Sequence, residues 1–155
     1  MKRIFNLLFL AAIATFAFVA FPAAAQQRFD VPLACQDDVD LNTDETDSTV
    51  TLPNGTQYYV ITGMYAFNAS VTLSGSAAEI GLFSGATGAG EAIVTPTTMT
   101  GLTAATEFKT FTIAQDTLLA GSTLYIHTDD AHGTAATVDV CIYGRVIDGN
   151  STIGL

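Results

Sequence analysis

The chain has 155 residues, a formal net charge of −10 and only 13% charged side chains. Its five basic residues cannot build the positive surface that nucleic acid or anionic lipid requires, so neither is expected as a partner. The length suits one domain.

The first residues read as an address rather than as part of the fold. Lys2 and Arg3 precede the apolar run Leu7–Phe21, and Ala23, Ala24 and Ala25 offer small residues for cleavage. This is the pattern of a secretory signal peptide over residues 1–25, with Gln26 as the mature N-terminus. The alternative is a retained membrane anchor, since the run approaches bilayer-spanning length. Cleavage leaves Arg28, Lys109 and Arg145 against all fifteen acidic residues. The expected location is secreted, extracellular or at the cell surface, with no membrane association afterwards.

Residues 26–47 read as an extended N-terminal segment with an acidic loop. Phe29 to Cys35 forms a first strand that Pro32 confines to a sheet edge or an extended arm. Phe29, Val31 and Leu33 alternate, so such an arm could complete a sheet in a neighbouring copy, the alternative being that it pairs within its own domain, as a Cys35–Cys141 disulfide would favour. Asp37 to Asp47 carries too much like charge for a core element and is expected as a solvated loop. The cysteines, Cys35 and Cys141, form an even pair, which in an oxidising compartment predicts a disulfide. It would tie the first strand to the last, and the chain-entropy account gives about 4–5 kcal/mol for so long a loop.

Residues 48–148 read as the sandwich domain. Ser48 to Leu52 places Val50 and Leu52 on one face, and Asn54-Gly55 signals a hairpin into Gln57–Thr62. Gly63 breaks that strand, and Met64 to Leu73 supplies one or two more. Ala78 to Ser84 puts Ile80 and Leu82 on one face; Gly85 to Gly90 is a loop without a preferred conformation. Glu91 to Thr95 stops at Pro96. In Glu107 to Ile113, Lys109, Phe111 and Ile113 share a face opposite Phe108. Gln115 to Gly121 is a turn, Ser122 to Thr128 a strand with Leu124 and Ile126 inward, and Asp129 to Gly133 another turn. Thr134 to Val146 is the longest strand, with Val138, Val140 and Ile142 inward; residues 149–155 are an irregular tail. About eight short strands at this spacing predict an all-β fold, a two-sheet antiparallel β-sandwich. A jelly roll comes first and an immunoglobulin-like sandwich second, because the chain has no Trp for the buried position of the latter.

From Ile80 to Gly144 the residues resemble a known kind of module. Ile80-Gly81-Leu82-Phe83-Ser84-Gly85, Ala92-Ile93-Val94, Leu102 to Phe108, Thr123-Leu124-Tyr125, Ala131 to Val140 and Ile142-Tyr143-Gly144 set Gly, Ala and Thr around apolar anchors. This is similar to the β-sandwich modules of tailed-bacteriophage structural proteins and related surface proteins. The resemblance covers just over half of the mature domain and implies a non-enzymatic, assembling module, often trimeric or arrayed. The signal peptide and the cysteines depart from the phage pattern and shift the expectation towards a surface or extracellular protein.

Three constellations bear on chemistry. Asp38, Asp40, Asn42 and Asp44 place oxygen ligands at alternate positions, as calcium loops do, although Thr43 and Thr49 stand where such a loop wants Gly and a bidentate acid. His127, Asp129, Asp130 and His132 lie close together and could hold zinc or another transition ion; the alternative is a polar turn. Tyr58, Tyr59, Tyr65, Tyr125 and Tyr143 could line a glycan-binding face. No nucleophile elbow, phosphate loop or His-Glu-x-x-His is present, so no enzyme and no obligatory cofactor are expected, with calcium the one candidate ion. The expected function is an exported structural or adhesive subunit that assembles with itself, as a trimer or larger, at the cell surface, in a filament or in a virion-like particle. The alternative is a secreted carbohydrate- or calcium-dependent binding module.

Overall fold

The computed structural model describes residues 30–53, 58–73, 75, 78–103, 106–114, 118–121 and 123–147. The expected signal peptide, Phe29, Asn54-Gly55 and the C-terminal tail lie outside these. The described chain forms nine strands: β1 Val31–Asp40, β2 Thr46–Thr51, β3 Tyr58–Phe67, β4 Glu79–Phe83, β5 Ala92–Thr98, β6 Phe108–Thr110, β7 Leu118–Ala120, β8 Thr123–Asp130 and β9 Thr137–Ile147. The described residues contain no helix, and so none that is long and apolar enough to cross a membrane.

The strands form two antiparallel sheets. One is five-stranded, in the order β1-β9-β3-β6 with β7 also paired to β3; the other is four-stranded, in the order β2-β8-β4-β5. Alternation puts one face of each sheet into a common core. Leu33, Tyr59, Ile61, Met64, Val138, Val140 and Ile142 enter it from the first sheet, and Val50, Leu52, Ile80, Leu82, Leu124 and Ile126 from the second. Each fully buried aliphatic side chain contributes about 1.5–3 kcal/mol of transfer free energy. The inward residues expected of the sandwich strands are therefore the ones that meet.

Pro32 lies on β1, an edge strand, beside a register shift between Pro32 and Ala34. Its missing N–H costs no ladder bond there. Pro96 obeys the same rule differently: β5 runs through it to Thr98, because β5 is the other sheet's edge. Gly63 does not end its strand. β3 continues from Tyr58 to Phe67, and the irregularity is absorbed by a register shift between Ile61 and Gly63.

Three local expectations need correcting. The acidic stretch is strand at both ends, Asp37–Asp40 in β1 and Thr46–Asp47 in β2, and loop only over residues 41–45. β1 extends to Asp40 because Val39 is buried in the core and pairs with Val138, while its acidic neighbours stay exposed. The N-terminal segment is thus a member of the domain's own sheet. Second, β2 and β3 do not form a hairpin about Asn54-Gly55. β2 pairs with β8 and β3 with β9, in different sheets. Third, the stretch read as one turn before β8 includes β7, which pairs Leu119 with Tyr59.

The loop between β4 and β5 has a defined shape. Gly85 N donates to Ala89 O at 3.0 Å, Ala89 N to Ala86 O at 3.1 Å, and Glu91 N to Ser84 Oγ at 2.8 Å. It folds over the outer face of the four-stranded sheet, where it brings Gly88 against His127.

Candidate functional site

β8 alternates Leu124, Ile126 and Thr128 towards the core with Tyr125, His127 and Asp129 away from it. An outward histidine on an exposed sheet would be solvated. His127 is instead 2% exposed. Phe83 meets it edge to face, with ring centroids 5.8 Å apart. Gly88 covers it from the loop: a Cβ there would lie 3.2 Å from His127 Cδ2 and 3.3 Å from Nε2. Gly88 also has φ +63°, a conformation that side-chain-bearing residues rarely adopt.

The ladder sets the polar partners. Asp47 of β2 stands directly opposite His127 of β8, and its Oδ1 lies 2.8 Å from His127 Nδ1. The other Asp47 oxygen accepts a 2.6 Å hydrogen bond from Thr87 N, so one carboxylate ties the imidazole to the covering loop. Glu45, just before β2, donates its N–H to Thr128 O at 2.8 Å and brings Oε2 to 3.4 Å from His127 Nε2. Glu45 and Thr87 both hold positive φ, 56° and 57°. For the β-branched Thr87 that is strained, and its bond to Asp47 helps hold it.

Of the expected transition-metal set, His127 and Asp129 come together, but with Glu45 rather than His132. The ligand atoms of Glu45, His127 and Asp129 lie within 4.8 Å of one another. Asp130 joins a second group with Glu79 and Asp129, and Glu79 is its direct ladder partner. His132 turns away; its Nδ1 lies 2.8 Å from Thr134 Oγ1, and its N–H donates to Leu41 O. Sequence reasoning missed Glu45, Asp47 and Glu79, because cross-strand pairing places them. Reading the segment before Ser48 as loop hid the alternation that puts Asp47 opposite His127.

The alternating acidic set does not converge. Asp38 sits with φ 51° at a register shift of β1, where its N–H donates to Asp139 Oδ1 at 3.0 Å. Asp40 accepts from Asn42 N at 2.8 Å and from the Thr43 hydroxyl at 3.3 Å, a local turn bond of the kind Asp commonly makes. The Asp44 carboxylate accepts from Ala131 N. Among the described residues, Asp38, Asp40 and Asp44 fall in no cluster of three ligand-bearing side chains.

The tyrosines do not share a face either. Tyr59 is in the core, and Tyr125 lies on the four-stranded sheet. Tyr65 and Tyr143 meet edge to face on the outer side of the five-stranded sheet, centroids 5.2 Å apart, with Phe108 6.4 Å from Tyr65. Beside them is a cleft of about 400 Å³ lined by Asp30, Thr62, Gly63, Tyr65 and Tyr143. Arg145 Nε donates to Asp30 Oδ1 at 2.9 Å, and this hydrogen bond holds the Asp30 carboxyl below its usual range. Thr62 Oγ1 is buried there without satisfactory hydrogen-bond geometry, although it lies near enough to Asp30 to favour the carboxylate.

Cys35 and Cys141 are bonded to each other. No known family, curated protein or solved structure matches the chain.

Proposed function

We propose that this chain is an exported, non-enzymatic structural or adhesive subunit that assembles with copies of itself. The observation that carries the reading is Phe108, which is 68% exposed on the short edge strand β6 and stands beside Tyr65. With Tyr143 next to Tyr65, three aromatic rings form one outward patch at a sheet edge, where solvent-facing strands ordinarily carry charge. Export is supported by the signal-like residues 1–25 and by a disulfide that suits an oxidising compartment. A jelly roll is supported by the strand order: β1-β9-β3-β6 and β2-β8-β4-β5 interleave the chain between two sheets as two Greek keys do. Capsid and lectin domains use that architecture, so the fold suits assembly and binding alike.

The test is the mass of the mature protein in solution by light scattering, with and without calcium. A trimer or larger species that falls to monomer in Phe108→Ser supports the reading. A monomer under all conditions overturns it.

One observation favours a second reading, glycan binding. The cleft between Asp30 and the Tyr65–Tyr143 pair combines ring edges, a carboxylate and a buried hydroxyl, the mixture that sugar sites use. A glycan array probed with wild type and Tyr143→Ala separates the two: hits lost in the variant support binding, and a blank array removes it.

A further inference from the structure

We propose that Glu45, His127 and Asp129 form a binding site for a first-row transition dication, with zinc as the reference ion and Asp47 as the positioning residue. The site lies on the outer face of the four-stranded sheet and is independent of the assembly reading.

The imidazole is prepared for the role. Ionised Asp47 is an acceptor only, so the 2.8 Å contact requires the proton on His127 Nδ1. In the neutral ring that leaves the lone pair on Nε2, with Glu45 Oε2 3.4 Å away. A lone pair facing a carboxylate at that distance is repulsive unless a proton or a metal cation stands between them, and a metal would take the place of that proton. Carboxylate on one ring nitrogen and metal on the other is the arrangement by which proteins fix a ligating histidine. His127 is also a buried polar side chain, 3% exposed, held on its ladder by β2 and under its loop by Gly88. Its direction is therefore fixed before any ion arrives.

The charge around it points the same way. Glu79, Asp129 and Asp130 crowd their oxygens within 4.8 Å, and Glu79 and Asp130 are directly opposed, an arrangement that destabilises a sheet when both are ionised. The two basic side chains of the described residues are engaged elsewhere. Lys109 donates to the carbonyls of Thr98 and Thr100, and Arg145 pairs with Asp30 on the other sheet. Apart from a proton on His127 itself, no basic side chain of the described residues supplies positive charge at this site.

The donor set selects the ion. One imidazole nitrogen and two carboxylates suit zinc and its neighbours, which take three protein ligands and leave a position for water. Calcium takes six to eight oxygens and gains little from a nitrogen. Binding would fasten Glu45, on the connection between β1 and β2, to β8.

The experiment is calorimetric titration of the EDTA-stripped full mature protein with zinc chloride, and with calcium chloride separately, alongside thermal melts. The expected result is one zinc per chain, with the melting temperature raised by about 5–10 °C at a hundredfold excess over Kd. Asp129→Asn, a half-buried surface change, should weaken zinc at least tenfold, and Asp47→Asn about 10–100-fold by releasing the ring. His132→Ala should leave affinity unchanged. Cobalt substitution should give a visible spectrum that Asp129→Asn abolishes. Equal melts in EDTA show that each variant is folded. Absence of saturable zinc binding, undiminished binding in Asp129→Asn, or calcium binding as tight as zinc would each overturn the assignment.

Discussion

Cys35 stands directly opposite Cys141 in the ladder between β1 and β9, with their Cα atoms 4.1 Å apart. The bridge is a rung within one sheet, not a brace between two. An immunoglobulin-type sandwich places its bond across the sheets, so the position of this one argues against that alternative. The two residues are 106 apart in sequence, so the cross-link restricts the unfolded chain strongly. Replacing both by Ser should lower stability by about 2–4 kcal/mol, read from urea midpoints. The amides of β1 should lose exchange protection before those of β3. Equal protection in both strands would show that the rung is not what holds the edge.

Gly144 is the tightest backbone position in the five-stranded sheet. A Cβ there would fall on the Val60 carbonyl oxygen and 2.8 Å from Leu33 Cδ1. The carbonyl belongs to β3, whose ladder with β9 leaves it little room to move. Gly144→Ala should therefore cost about 1–3 kcal/mol by overpacking, measured as a shift in the urea midpoint. Gly101→Ala, where a Cβ meets nothing within 4 Å, separates clash from backbone effects, since its φ of +98° alone disfavours a side chain.

Phe108 predicts an effect on association without one on folding. Its side chain lies outside the core cluster, so Phe108→Ser should change monomer stability by no more than about 0.5 kcal/mol. Sedimentation velocity at several concentrations should show a lighter species in the variant. An unchanged distribution would move the assembly surface elsewhere.

Lys109 predicts a pH dependence. Its ammonium reaches the carbonyls of Thr98 and Thr100 at the margin of the sandwich, and burial holds its pKa below the ordinary 10.5. The unfolded chain then binds this proton more tightly than the folded one. Stability contributed by this group is lowest where both states are protonated, rises as pH climbs through the folded pKa, and levels off above the unfolded value. Lys109→Arg, which stays charged, should remove that rise. Urea midpoints for wild type and variant between pH 8 and 10.5 read the difference; parallel curves would refute it.

The sandwich was legible because its signal is local. Val138, Val140 and Ile142 alternate within their own strand, as do Leu124 and Ile126, and both sets enter the core. What was not legible depends on partners distant in sequence. Asn54-Gly55 describes a turn's freedom, but sheet membership is decided by β8 and β9. Asp37 to Asp47 is charged enough to read as solvent, yet Val39, paired with Val138, and Leu41 are both buried in the core and hold that stretch against the sheet. His127 looked like part of a polar turn with His132. Its burial comes from Gly88 and Phe83, and its bond from Asp47, none of which is adjacent to it in sequence.

Val31 lies opposite Gly144, so the entry to β1 and the exit from β9 are neighbours in space. The described strands therefore begin and end in adjacent positions of one sheet. A circular permutant of Val31–Ile147, with those two residues joined by a linker and a new opening cut in the connection between β5 and β6, would keep every ladder and the Cys35–Cys141 rung. For the same reason, segments leaving β1 at Val31 and β9 at Ile147 depart from neighbouring strands of the same sheet.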